Sequence, residues 1–359
     1  MQKKIAVVLF NLGGPDSLES VRPFLFNLFF DKAILRVPKP FRWLLAQFIS
    51  RKRENTAREI YEQIGGSSPI LKLTKIQAES LEKKLLQKYQ SKVFIAMRHW
   101  HPMTLETALL VKEYNPTHII LLPLYPQFST TTSGSSILEW EKVGKKLNIK
   151  ALTKTICCFP INMGWISAQV TLILESINNC SDSKNTRLLF SAHGLPKKII
   201  AQGDPYQSHV EATVTEIVKR LNITNLDWEI CYQSRVGPLE WIGPSTELAL
   251  EKASIDQKNV LVIPVAFVSD HSETLVELDI EYKSLADDLG IKEYRRVPVV
   301  GDHSQFIDGL MSMIESTLNS AMPLYNSNGN GSRICDSDFV GCPNKNYNYR
   351  RQLLNVSLD

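Results

Sequence analysis

No stretch of this 359-residue chain approaches the roughly 20 consecutive apolar residues that a bilayer-spanning helix needs. Even PFLFNLFF is broken by Asn27 and closed by Asp31, so the protein is expected to be soluble or at most peripheral. Cysteine is scarce. The six residues, with Cys157 and Cys158 adjacent, have no spacing that reads as a disulfide framework. The opening MQKKIAVVLFNLGGP carries a short apolar run with no small-residue cleavage site after it. It reads as a buried strand ending in a tight turn, not as a signal peptide. Together these predict a cytoplasmic protein with reduced thiols. A large excess of one charge is also missing: 41 Lys and Arg face 37 Asp and Glu, a net +4, which argues against a nucleic-acid partner. The imbalance is local, because residues 1–58 hold 11 basic and 4 acidic side chains.

What is present is a series of short runs rich in Val, Ile and Leu: IAVVLFN, VFIAMRH, HIILLPLY, RLLFSAH, WEICYQS and NVLVIPVAF. Between them lie segments of helical periodicity, such as KIQAESLEKKLLQKY, TLETALLVKEY, SHVEATVTEIVKRL and SQFIDGLMSMIESTL. Buried strands alternating with helices predict an α/β fold with parallel sheets. The strands fall into a set ending near residue 125 and another beginning near 187, with a helical join between them. Two similar Rossmann-like halves with a cleft between them are therefore expected. The first spans 1–150 and carries an apolar, basic lip at about 18–55; the second spans 151–322; a flexible polar tail occupies 323–359. The lip, with PFLFNLFF and PFRWLLAQFISRKR, suits either peripheral contact with an anionic membrane or two amphipathic helices packed on a sheet.

Ligands of open α/β sheets sit beyond the carboxyl ends of the strands, so the polar residues there are the first functional candidates. Two such places stand out. LLFSAHGLP ends a strand on His193, either a structural histidine or one presented to the crevice. SDHSETLVELDIEY follows another strand. If a helix begins at Ser272, then Glu273, Glu277 and Glu281 share one face, with His271 just before them. Like charges at that spacing cost roughly 0.2–0.5 kcal/mol per pair, so the stripe is either a solvated face or one used by protons or a cation. One imidazole and one carboxylate together suit ferrous iron held weakly enough to be handed on.

NLGGPDS, GGSSPI, LYPQFSTTTSGSS, SAHGLP, GDPY, YQSRVGPLEWIGPST and VSDHSETLVELDIEY, in that order over about residues 5–320, resemble the ferrochelatase family. The resemblance implies a lyase that inserts ferrous iron into protoporphyrin IX and releases two protons to give protohaem, the last step of haem biosynthesis. It implies His193 and Glu273 as catalytic and metal-holding residues, Glu277 as a further catalytic carboxylate, and His271 and Glu281 as a proton relay. Leu12, Arg53, Tyr61, Ser68, Arg98, Tyr125 and Trp241 match substrate-binding positions. Iron is then a substrate, and no tightly bound cofactor is expected. Some members carry a [2Fe-2S] cluster on an internal cysteine and a C-terminal cysteine group. Here the internal position is Thr130 and the tail offers only Cys335 and Cys342, too few thiolates for a four-ligand site. The competing readings are a chelatase for coproporphyrin or another metal, and a non-catalytic porphyrin or haem carrier. A carrier needs no proton acceptor beside the macrocycle. Oligomeric state has no sequence signal.

Overall fold

Runs of Val, Ile and Leu too short for helices and apolar on both faces become parallel strands covered by helices on each side. The computed structural model describes residues 3–235, 237, 239–320, 325–328, 333–336 and 338–343. Within these residues the strands are β1 (Lys4–Asn11), β2 (Gln90–Met97), β3 (His118–Pro123), β4 (Leu152–Cys158), β5 (Thr186–His193), β6 (Trp228–Gln233), β7 (Asn259–Pro264), β8 (Tyr294–Arg296) and β9 (Tyr325–Ser327). They form two parallel sheets, ordered β2-β1-β3-β4-β9 and β6-β5-β7-β8. Both halves thus repeat one doubly wound order, in which the first strand of each half lies between the next two. Successive connections leave β1 and β5 in opposite directions, which opens a crevice at their carboxyl ends. Asn11 closes β1 and His193 closes β5.

The two sheets share one core. Ile5, Val7 and Leu9 of β1, Phe190 of β5 and Leu261 of β7 belong to the same buried cluster as Trp165, Phe306 and Leu310 from the intervening helices. The helices Met163–Asn178 and Ser304–Asn319 cross where Gly164 meets Gly309. A Cβ on Gly164 would stand 2.4 Å from the Gln305 carbonyl oxygen and 2.5 Å from Gly309 Cα, so neither position has room for a side chain. Polar clasps add to the join: Gln77 Nε2 donates to the carbonyls of Val268 (3.0 Å) and Gly301 (2.8 Å).

The strands depart from the sequence expectation at two places. The first sheet does not stop at residue 150, since β4 pairs with β3 from His118↔Leu152 to Leu121↔Thr155. LTKTICC lacks the unbroken apolar character of the other runs, because Thr and Lys interrupt it. Lys154 is nevertheless buried, and its Nζ donates to the carbonyl oxygens of Thr317 (2.8 Å) and Ser320 (2.5 Å). The region after 323 is also not wholly detached, because β9 joins the edge of β4 and Cys335 and Cys342 are buried. Those contacts are tertiary, and nothing in the polar composition of the tail announces them.

Candidate active site

The site begins where β5 and β7 end. His193 is the last residue of β5 and Glu273 the first of a nine-residue π-helix, Glu273–Glu281, that follows the β7 loop. His193 Nδ1 lies 2.8 Å from Glu273 Oε2. A carboxylate only accepts, so Nδ1 carries the proton and Nε2 is left as the working nitrogen of the neutral ring. On the other side, His271 Nε2 stands 3.7 Å from the same oxygen, while its Nδ1 donates to the Ser269 carbonyl at 3.1 Å. Burial would raise the Glu273 carboxyl, but the charge and hydrogen bond of His193, helped by His271, hold it well below the usual carboxylate range. Burial would lower His193; Glu273, with Glu277 behind it, lifts it above its ordinary value instead. The pair is therefore ionic across mildly acidic pH.

Local structure fixes Glu273. Thr274 Oγ1 donates to Asp270 Oδ1 (2.8 Å) and accepts from His271 N (3.0 Å), which winds the first turn. Arg296, on β8, grips Asp279 with two bonds of 2.6 and 2.8 Å and pairs with Asp270 at 3.1 Å. This clamp ties both ends of the element to the sheet. π-helices are rare and recur at functional sites, because the wider winding re-aims side chains. The sequence expectation of an α-helical stripe is corrected accordingly. Glu277 stays beside the site, where burial first and the Glu273 charge second raise its carboxyl. Glu281 lies exposed at the far end. Glu277 accepts from Gln233 Nε2 (2.9 Å), Ser234 N (2.7 Å) and Ser234 Oγ (2.5 Å), all beyond the end of β6 or closing it.

The first half contributes the facing wall. Tyr61, buried at the end of the helix Lys39–Glu62, is in hydrogen-bonding contact with Ser272, and its phenol is pushed up to about 12 mainly by burial. The Tyr125 hydroxyl is buried and unpartnered among the described residues. Burial raises it, Arg98 opposes, and Glu273 is close enough to add to the rise. Arg98 does not stand free. Its NH2 pairs with Asp31 at 2.9 Å and its Nε donates to Ser135 Oγ at 2.7 Å, while Ser135 Oγ donates to Asp31 in turn. Asp31 is the residue on which the lip helix Val21–Phe30 ends, so the lip is tied to the crevice through Arg98. His99 beside them is brought down to about 3 by burial and by Arg98, against the pull of Asp31, and stays neutral.

The remaining predicted residues lie at varying distances from this centre. Trp241 bridges Pro196 across the loop after His193, and a Cβ on Gly194 would come within 3.3 Å of its ring. Leu12 is half-buried after β1, and its carbonyl accepts from His99 N at 3.0 Å. Ser68 packs on Gly14, where a Cβ would meet its side chain at 2.5 Å. Arg53 is exposed on the lip, its guanidinium 5.8 Å from the Phe29 ring centroid. A cavity of about 420 Å³ lies between the two lip helices, lined in part by Arg22, Phe26, Gln47 and Glu54. It is separate from the His193 centre, and charge and geometry, not cavity size, single that centre out. Sequence reasoning missed Asp31 as a ligand of Arg98. Its only signal was an acidic residue closing an apolar run.

At the far edge, Thr130 is engaged by Asp204, whose Oδ2 accepts from its amide and its hydroxyl, each at 2.7 Å. Cys335 is in hydrogen-bonding contact with Cys342 and lies 3.2 Å from His209 Nε2; Cys157 and Cys158 are 3.7 Å apart nearby. Two more thiols thus stand near the tail than sequence spacing indicated. Among the described residues, no group of three or more His, Cys, Asp or Glu is arranged to hold a metal ion.

Comparison with known proteins decides the family. The ferrochelatase family profile matches residues 4–318. The ferrochelatase of Pelagibacter ubique is 51% identical over 348 residues, spanning 96% of this chain and 99% of that one. That of Rickettsia bellii is 49% identical over 344 residues, 95% of each. The chain belongs to the ferrochelatase family. Its activity is the ferrochelatase lyase reaction, iron insertion into a porphyrin in haem synthesis. Among solved structures, SirB from Bacillus subtilis with Fe3+ superimposes with a TM-score of 0.51 over 87% of this chain and 95% of that one. At 13% identity this speaks for the fold alone.

Proposed function

We propose that the porphyrin is protoporphyrin IX and that His193 and Glu273 carry the metallation, with Glu277 behind them. The observation that carries this reading is the 2.8 Å bond from His193 Nδ1 to Glu273, which commits one ring nitrogen and leaves Nε2 for chemistry. Metallation must strip water from the iron, bring pyrrole lone pairs out of the ring plane and remove two N–H protons. Neutral His193 accepts a pyrrole proton or holds the incoming metal through Nε2, and Glu273 stabilises the imidazolium that results. Glu277, whose raised carboxyl exchanges protons nearer neutrality, takes protons onward, with His271 and Glu281 as further relay groups. Tyr61, Tyr125, Arg98, Trp241, Leu12 and Ser68 form the walls against which a bent macrocycle is held, binding energy being spent on substrate strain. Arg53 on the lip faces the acidic side chains of the substrate.

Exposed Phe41, Trp43, Leu44, Leu45 and Phe48 share the helix Lys39–Glu62 with Lys39, Arg42, Arg51, Lys52 and Arg53. That combination supports peripheral contact with an anionic membrane from the cytoplasm. The chain is expected to hold no [2Fe-2S] cluster, a reading supported by the hydrogen-bonding contact between the thiols of Cys335 and Cys342, which form no disulfide, and by Asp204, which engages Thr130. The test of substrate is anaerobic incubation with ferrous iron and either protoporphyrin IX or coproporphyrin, followed by absorbance. Faster turnover of protoporphyrin supports the proposal; preference for coproporphyrin contradicts it, and binding without metallation would mark a carrier.

A further inference from the structure

The π-helix places Tyr282, five residues after Glu277, against that carboxylate: Tyr282 N donates to the Glu277 carbonyl, and the phenol oxygen is 3.2 Å from Glu277 Oε1. The same phenol oxygen is 3.1 Å from Glu247 Oε1, in the first turn of the helix Thr246–Ile255. A phenol has one proton and two carboxylates here claim it. Both contacts are hydrogen bonds only if one carboxyl is itself protonated and donates to the phenol oxygen. Tyr282 is 5% exposed, so water does not relieve the conflict. Position decides where the extra proton rests. Glu277 sits near Glu273, with Gln233 Nε2 donating both to its Oε2 and to the Glu273 carbonyl. Glu247 lies in the first turn of its helix, half-exposed and on the solvent side of Tyr282 from Glu273. The other groups facing the trio include Ser234 from the β6 loop, Cys231 on β6, His193 at the end of β5 and Tyr294 from β8. Among the described residues no Lys or Arg forms an ion pair with Glu277 or Glu247.

We infer that Glu277, Tyr282 and Glu247 form the exit by which protons taken from the porphyrin reach solvent, with Tyr282 as a shuttle and Glu247 as the outer acceptor. The step balances without any further reactant. The Glu277 O–H bond breaks as its proton passes to the Tyr282 oxygen, the phenol proton passes to Glu247, and Glu247 releases it to water; Glu277 is left ionised for the next proton. The route leaves the π-helix sideways at Tyr282, a branch beside the one proposed along the helix to Glu281. Tyr282 and Glu247 touch no substrate and act through Glu277. The inference rests on the role proposed for His193 and Glu273, and its test separates the two.

The experiment compares wild type, Tyr282→Phe, Glu247→Gln and Glu273→Gln for ferrous-iron insertion across pH 6–9, with porphyrin affinity from fluorescence and stability from thermal unfolding. A relay role predicts a roughly tenfold or larger loss of kcat in Y282F and E247Q, up to the roughly hundredfold at which losses of directly acting proton-transfer groups begin, with unchanged porphyrin affinity and a larger solvent deuterium effect. A small carboxylate buffer should restore part of the rate to E247Q, which a merely structural role would not allow. Infrared spectra should show the carbonyl stretch of an un-ionised carboxyl in wild type, shifted in Y282F. Wild-type kcat and pH profile in both Y282F and E247Q, alongside an inactive E273Q, would overturn the exit route alone. A wild-type rate in E273Q would overturn the reading beneath it.

Discussion

Asp31 and Arg98 offer a test of how the lip is fastened, independent of chemistry at the metal. Asp31 is 7% exposed and serves Arg98, Ser135 and the amide of Ala33 at once. Asp31→Asn keeps the shape and the bond to Ala33 but leaves the Arg98 guanidinium, whose side chain is 17% exposed, without its counter-ion. Breaking a buried pair from one side costs about 3–5 kcal/mol, because an uncompensated charge remains. The Arg98→Met variant strands Asp31 in the same way. The double variant strands neither charge, so it should be more stable than the sum of the two losses by about 2 kcal/mol or more, an upper-range coupling for groups in direct contact. Urea unfolding of the four proteins measures this. In parallel, D31N should raise KM for porphyrin more than it lowers kcat, since the lip helix loses its tie to the crevice. Strictly additive losses, or an unchanged KM, would refute this account of the fastening.

Three further outcomes are expected. Gly309→Ala should destabilise by about 1–3 kcal/mol, read by thermal or urea unfolding, because its Cβ would stand 2.6 Å from Asn162 Oδ1 and 2.9 Å from Gly164 Cα. The rate of insertion should rise with pH through a value above the ordinary 6.5 of histidine, since His193 is lifted and must be neutral to accept a proton; initial rates across that range check it. The ionic pair's contribution to stability has the opposite sense: full below about 6.5, lost as pH rises through the lifted His193 value, and lost again in acid as Glu273 protonates below its ordinary 4.5. Haem-free protein should contain no stoichiometric iron and sulfide; finding both would show that Cys157, Cys158, Cys335 and Cys342 hold a cluster.

Much of this was legible in the sequence, for identifiable reasons. Strands buried on both faces announce themselves, and the runs ending in Asn11, His193 and Gln233 end where the sequence put them or within a residue. His193 and Glu273 were visible because one closes such a run and the other follows one. β4 was not, since a buried lysine disguised it until Thr317 and Ser320 supplied its partners. The winding after Ser272 was read with α-helical spacing, which puts Glu281 on the stripe and hides Tyr282; five-residue spacing reverses the two. Asp31 and Arg98 are 67 residues apart in the chain, and only the closed first half brings them to 2.9 Å.

The most direct test of the account is single-turnover metallation under anaerobic conditions by His193→Ala, with porphyrin binding followed separately by fluorescence. The account predicts porphyrin affinity within a few-fold of wild type and a rate lower by a factor of roughly a hundred or more, the loss expected when a proton acceptor or metal-holding nitrogen is removed from the reacting centre. Iron insertion at the wild-type rate in that variant would contradict it.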